Sequence, residues 1–142
     1  MKKVETSIDI AASPARVWQI LTDFPKHAEW NPFITSIAGS LGVGTELAIR
    51  VQPPGGKGMC FTPVLLAADP ERELRWKGRL FVPGLFDGEH YFRLEALETG
   101  TRLHHGELFS GFFVAMTGQQ SFDAIAEGFH AMNTALKSRA ES

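Results

Sequence analysis

Residues 122–136 read FDAIAEGFHAMNTAL, and their large apolar side chains recur at intervals of three and four residues. This spacing is typical of one face of a long amphipathic helix, while Asp123 and Glu127 fall off that face. An apolar face of this length has to be covered, so the preceding part of the chain must supply a partner surface. The residues of the face are Phe122, Ile125, Phe129, Met132 and Leu136.

The chain before this helix predicts a strand, two short helices and six further strands. Alternation of Val4, Thr6, Ile8 and Ile10 with polar residues indicates a half-buried strand. Ser13-Pro14 supplies an N-cap hydroxyl and a proline for the first helical turn, and prolines at 25 and 32 limit both short helices. The connections between later strands are too short for crossover helices, so neighbours should pair antiparallel. These strands are expected at about 33–40, 45–52, 58–69, 73–81, 86–97 and 101–110.

Together these segments predict an α+β fold in which a seven-stranded, curved antiparallel sheet is covered by the long helix. The length of 142 residues suits one domain, 1–142. Eleven phenylalanines and three tryptophans against one tyrosine indicate either a dense core or an apolar cavity.

Charge and composition exclude several classes of partner. The formal charge is −2 and no basic cluster occurs, so a nucleic-acid partner is not expected. No apolar run approaches the roughly 20 residues of a membrane helix, and the start of the chain lacks the apolar core of a signal peptide, so we expect no membrane insertion. Cys60 is the single cysteine and permits no internal disulfide, which favours a cytoplasmic protein.

Four stretches carry a resemblance to a known superfamily. Residues 13–34, SPARVWQILTDFPKHAEWNPFI, resemble the opening signature of the START/polyketide-cyclase/pollen-allergen (SRPBCC) superfamily. ELRWKG at 73–78, GEHYF at 88–92 and ELFSG at 107–111 resemble its bacterial polyketide cyclase/dehydrase branch and follow in that branch's order. The resemblance implies a helix-grip fold with an apolar cavity between sheet and helix, where members hold lipids, polyketides, hormones or aromatic metabolites. It does not imply catalysis, because many members only bind or carry.

Strand parity predicts which side chains face the interior. A two-residue turn at Thr99-Gly100 would pair His90 with Phe109 and Phe92 with Glu107, and would place His105 on the same face. Since most of that face is apolar, it should be the inner one. The expected ligand-binding residues are Trp30, Phe61, Trp76, His90, Phe92, His105, Glu107, Phe122, Phe129 and Met132.

Three polar residues on this inner face, His90, His105 and Glu107, leave several interpretations open. A buried carboxylate is costly unless it is paired, so Glu107 should contact one of the two imidazoles. The group is then a purely structural pair, an anchor for a ligand hydroxyl or carbonyl, or an acid/base pair, in which case all three are candidate catalytic residues. A different strand register would instead place all three near the edge of the sheet. Two histidines and a carboxylate also match a metal-ligand set, but no other residues have ligand spacing, so we expect neither metal nor cofactor.

Three hypotheses for function follow. The first is binding or carriage of a small hydrophobic molecule, and the second is a cyclase- or dehydratase-like enzyme that uses Glu107 and His90. The third is a protein-interaction module, because a related branch of the superfamily stimulates a chaperone ATPase. That hypothesis requires an exposed apolar patch, for which 112–116 is the candidate, although this segment is more readily a first helical turn or core. No sequence feature indicates an oligomeric state.

Overall fold

Two antiparallel sheets and one long helix form the fold of a computed structural model that describes residues 1–80, 84 and 86–142. The larger sheet has the strand order β1-β8-β7-β6-β5, and the smaller has the order β2-β3-β4. The strands are β1 (Lys2–Ile10), β2 (Ile34–Ala38), β3 (Ala48–Val51), β4 (Met59–Phe61), β5 (Val64–Asp69), β6 (Glu73–Leu80), β7 (Phe86–Leu97) and β8 (Gly100–Ser110). The helices are α1 (Pro14–Thr22), α2 (His27–Trp30) and α3 (Gln119–Glu141), with 3₁₀ turns at Phe24–Lys26 and Val114–Met116.

This α+β, helix-grip architecture confirms the predicted fold class, but the strand count differs. The strand predicted at 58–69 is divided, so that β4 pairs with β3 while β5 pairs with β6 in the other sheet. The break falls at Thr62-Pro63, because a proline has no N–H to donate to a ladder. The carbonyl of Pro63 instead accepts from Leu47 N at 2.8 Å, and the chain passes from one sheet to the other.

The predicted register of the β7–β8 hairpin is wrong by two residues. Leu97 pairs with Gly100, so the turn consists of Glu98 and Thr99, whereas Thr99-Gly100 was expected. Gly100 belongs to the ladder at a place where a Cβ would overlap the backbone of Ile10. Because a shift by two residues preserves the alternation of faces, every side chain keeps its predicted face while its partner changes.

Helix α3 packs its predicted apolar face against the sheet and α1. Phe129, Met132 and Leu136 are completely buried, Phe122 is nearly so, and Ile125 is partly buried. Asn133 is buried on the same side of the helix although it is polar. No helix in the described ranges is both long enough and apolar enough to cross a membrane.

His27 joins the short helices to β2 through hydrogen bonds that fix its protonation. Its Nε2 donates to the carbonyl of Leu21 at 2.7 Å, and its Nδ1 accepts from Asn31 Nδ2 at 3.1 Å. Asn31 Oδ1 accepts from the backbone N–H groups of Phe33 and Ile34, so the amide nitrogen must be the atom that faces the ring. The imidazole is therefore neutral, and burial lowers the pKa of His27 below its ordinary value.

A pH dependence of stability follows from this neutral histidine. The unfolded chain takes up a proton on His27 near pH 6.5, whereas the folded chain excludes it, so the free energy of unfolding should fall below about pH 6.5 by up to about 1.4 kcal/mol per pH unit for each such histidine. Urea unfolding over a pH series measures this slope. Substituting His27→Gln should flatten it, whereas His130→Gln, at an exposed position of α3, should not. Equal slopes in both variants would contradict the assignment.

Candidate functional site

A cavity of about 350 Å³ lies between the two sheets and the beginning of α3. The smaller sheet contributes Ile49, Val51 and Phe61, and the first turns of α3 contribute Ser121 and Ile125. The opposite wall comes from β6, β7 and β8, and most of the lining is apolar or aromatic. The remaining lining residues are Phe33, Ile34, Pro53, Met59, Pro63, Trp76, Gly78, Arg79, Phe86, Gly88, His90, Glu107, Phe109 and Thr117.

His90 and Glu107 form a polar pair in the wall and face each other on neighbouring strands, while Arg79, Thr117 and Ser121 are the other polar lining residues. His90 Nδ1 lies 3.3 Å from Glu107 Oε1, and 19% of the Glu107 side chain is exposed. Glu107 can lie flat on the wall because residue 88 is glycine, since a Cβ there would overlap Glu107 Oε2. The two-residue change in register is what brings this pair directly opposite each other; the predicted register placed them diagonally.

Behind this pair, a chain of hydrogen bonds runs into the core. His90 Nε2 lies 2.7 Å from His105 Nε2, and His105 Nδ1 lies 2.8 Å from Asn133 Oδ1. Asn133 Nδ2 donates to Thr6 Oγ1 at 2.8 Å, and Thr6 Oγ1 donates to the backbone carbonyl of His105 at 2.9 Å. The chain thus links β7, β8, α3 and β1, and we call Glu107, His90, His105, Asn133 and Thr6 the buried polar chain.

The carbonyl of His105 sets the direction of the hydrogen bonds in the buried polar chain from Thr6 to His90. A carbonyl only accepts, so the Thr6 hydroxyl donates to it and must accept from the Asn133 amide nitrogen. Asn133 Oδ1 therefore accepts, which requires a proton on His105 Nδ1. With His105 neutral, its Nε2 accepts, and His90 Nε2–H is the donor.

Burial keeps His105 neutral. The residue is fully buried, and desolvation followed by the nearby His90 lowers the pKa of His105 well below its ordinary value. The rings of Phe92 and Phe129 stack on the two sides of its imidazole, with centroids 4.4 and 4.2 Å away. Trp76 stacks on His90 at 5.1 Å, so the polar chain is enclosed by aromatic surface up to the cavity wall.

The structure divides the residues expected to bind a ligand into two groups. Phe61, Trp76, His90 and Glu107 line the cavity. Phe92, His105, Phe122, Phe129 and Met132 are buried and are not among the lining residues, because they fill the space behind the wall. Trp30 lies in α2 beside a different, smaller depression formed with residues of α1 and Arg139.

Sequence reasoning missed two members of the buried polar chain, Thr6 and Asn133. Asn133 follows Phe129 by four residues and so lies on the buried face of the helix, a position at which a polar side chain signals an internal partner. Thr6 likewise stands at an inward position of β1 among Val4, Ile8 and Ile10.

The geometry of the two histidines is that of a hydrogen bond and not of shared metal ligation. Their Nε2 atoms are 2.7 Å apart and bonded to each other, which leaves no space for an ion between them. Within the described ranges, no group of three or more His, Cys, Asp or Glu side chains is arranged to hold a metal ion.

The segment 112–116 is not core, contrary to the simpler expectation. Phe112 and Met116 are 70% and 73% exposed, and only Val114 is buried. The segment forms a 3₁₀ turn that is separate from α3, because Thr117 and Gly118 are extended before the long helix begins. It ends beside Thr117 at the edge of the cavity.

Removing the amide from the buried polar chain should destabilise the protein. Asn133→Leu leaves His105 Nδ1–H without an acceptor, so the free energy of unfolding should drop by about 1–3 kcal/mol. Thr134→Leu, at the next and exposed position of α3, should change it by less than about 0.5 kcal/mol. Urea unfolding measures both variants, and equal effects would show that the amide contributes nothing specific.

Several solved structures share the fold of this chain. A START superfamily protein from Mycobacterium smegmatis superposes with a TM-score of 0.77 at 19% identity, covering 98% of this chain and 97% of that one. A protein from Thermus thermophilus gives 0.78 at 17% identity, with 98% and 97% covered. The di-domain ARO/CYC StfQ from the steffimycin biosynthetic pathway gives 0.77 at 13% identity, with 98% of this chain but 50% of that chain covered.

At these identities the superpositions establish the fold alone, and no curated protein sequence is significantly similar to this chain. The family model described as polyketide cyclase/dehydrase and lipid transport, however, matches residues 1–141, nearly the entire chain. The chain therefore belongs to the polyketide cyclase/dehydrase and lipid transport family.

Proposed function

We propose that residues 1–142 act as one domain that binds a small hydrophobic molecule in the cavity between the two sheets and α3. The supporting observation is an apolar cavity of about 350 Å³ whose wall carries one paired polar group, His90 with Glu107. Ligand sites commonly have this composition, with apolar walls for affinity and a few polar atoms for orientation. The family description, which includes lipid transport, agrees with this proposal.

The walls suit a flat, apolar molecule. Trp76, Phe61 and Phe109 present aromatic surface to the cavity, and Met59 stands at its rim with 43% exposure. The thioether of methionine adapts to irregular apolar shapes, so Met59 would close over part of a bound ligand. The single cysteine, Cys60, is exposed and unbridged, which is compatible with the cytoplasm as the proposed compartment.

Filling the cavity should abolish binding without unfolding the protein. A Cβ added at Gly78 would meet Pro63 at an ordinary contact distance of 3.5 Å, so Gly78→Phe can direct its ring into the cavity. Titration with the neutral fluorescent probe N-phenylnaphthylamine should show binding to the wild type and at least about tenfold weaker binding to this variant.

Lys77→Leu serves as the matched control, because residue 77 lies on the same strand but points away from the cavity. It should bind the probe like the wild type. If the wild type takes up no apolar probe, or if Gly78→Phe binds as well as the control, the cavity is not the binding site.

A second candidate function is a cyclase- or dehydratase-like reaction. The observation that favours it is the contact between His90 Nδ1 and Glu107 Oε1 at the cavity wall, since a paired imidazole and carboxylate can take a proton from a bound substrate and return it. Glu107 would be the group that touches the substrate, and His90 would hold it in place and share its proton.

Glu107→Gln separates this candidate from simple binding. The amide keeps the size of the carboxyl group and one acceptor oxygen but cannot exchange a proton, so binding of N-phenylnaphthylamine should persist while cyclisation of a short poly-β-ketone disappears. Product formation is followed by chromatography, with Glu98→Gln, in the exposed β7–β8 turn, as the control. Unchanged turnover in Glu107→Gln would exclude the enzyme mechanism.

A further inference from the structure

We infer that the ligand donates a hydrogen bond from an aromatic hydroxyl to Glu107 Oε2, so that ketones and ethers of the same shape are poorer ligands. This inference rests on the proposed binding function and specifies which polar group of a ligand the site recognises. It follows from the direction of the bonds in the buried polar chain and does not depend on where the shared proton resides.

The first step is the count of protons between His90 and Glu107. His90 Nε2–H donates to His105 Nε2. The other ring nitrogen of His90, Nδ1, lies 3.3 Å from Glu107 Oε1. Two unprotonated atoms would place lone pairs against each other in a largely buried position, which is unfavourable. The arrangements that avoid this contact are an imidazolium beside a carboxylate and a carboxylic acid beside a neutral imidazole.

The second step concerns Glu107 Oε2, the oxygen that is turned away from His90. In the first arrangement Oε2 belongs to a carboxylate, and in the second it is the carbonyl oxygen of the acid, so in both it can only accept. Among the described residues no hydrogen bond to Oε2 occurs, and the atom lies over Gly88, another residue of the cavity wall. A ligand that reaches this atom must supply the donor.

The third step is the choice among donors. The pair carries no net charge in either arrangement, so it offers a cationic ammonium group only a single acceptor. A ligand ketone or ether has no hydrogen to donate to Oε2. Aromatic rings line the same cavity, where Trp76 stacks on His90 and Phe86 packs against Phe109. A hydroxyl on a flat aromatic ring satisfies both the acceptor and the walls.

A series of naphthalene derivatives tests this inference. Naphthalene, naphthol, the methyl ether of naphthol and methyl naphthyl ketone share one ring system, but naphthol alone donates a hydrogen bond. Displacement of N-phenylnaphthylamine near neutral pH gives their affinities. Naphthol should bind at least about tenfold more tightly than the ether and the ketone, as expected for one additional buried hydrogen bond.

Two variants at position 107 sharpen the test. In Glu107→Gln the amide Nε2–H can donate to His90 Nδ1 and leave an oxygen toward the cavity, so the preference for naphthol should survive. Glu107→Leu removes the acceptor and should reduce the preference to less than about twofold, whereas Glu98→Leu, in the exposed turn, should leave it unchanged. Circular dichroism and urea unfolding check that each variant is folded.

The outcomes separate the inference from the proposed function. If none of the four compounds displaces the probe, the binding proposal itself fails. If all four bind equally well, or if the ketone binds most tightly, the cavity is a ligand site but Glu107 Oε2 does not select a donor. If the naphthol preference persists in Glu107→Leu, another group, such as the Ser121 hydroxyl, holds the ligand and the inference is overturned.

Discussion

One hydrogen bond, from the Thr6 hydroxyl to the backbone carbonyl of His105, determines the direction of the hydrogen bonds behind the cavity wall. It joins β1 to β8, and because a carbonyl can only accept, it orients the Asn133 amide and then both imidazoles. The directed hydrogen bonds end at His90 in the cavity wall, and the deepest part of the core contains no charged group of the buried polar chain. A polar network is tolerated there because each of its buried members has a partner.

The faces of the strands were predictable from the sequence, whereas their exact partners were not. Alternation in β7 and β8 assigned His90, His105 and Glu107 to the inner face. This assignment remained correct although the hairpin turn was misplaced by one residue, because the partner strand then shifts by two residues and the faces are unchanged. Whether Glu107 met His90 or His105 depended on that shift. The sequence of a two-residue turn, Glu98-Thr99 or Thr99-Gly100, did not distinguish the alternatives, because the close approach of Ile10 to Gly100 is a tertiary contact.

The sequence also did not show which inward-facing residues border the cavity and which are buried in the core behind it. Phe92 and His90 lie on the same face of β7, yet His90 borders the cavity while Phe92 is enclosed by Trp76 and His105. Periodicity shows which face of a strand a side chain is on. It does not show how far that side chain lies from the cavity, because the cavity is formed by packing of the second sheet. That second sheet was missed because the stretch at 58–69 reads as one strand, and the proline at 63 that divides it also fits a strand edge.

The two halves of α3 explain why a chain so rich in phenylalanine has an internal space at all. From Phe129 onward, Phe129, Met132 and Leu136 are fully buried against β1 and its neighbours, and this half closes the core. The earlier turns place Ser121 and Ile125 at the cavity, where a small hydroxyl and a half-buried aliphatic chain do not fill the gap between the sheets. A helix with large side chains along its entire length would gain more buried surface and stability. Ser121 lines the cavity and is itself exposed, so the first turns of α3 leave the space between the sheets open to solvent, where a large apolar side chain would close it.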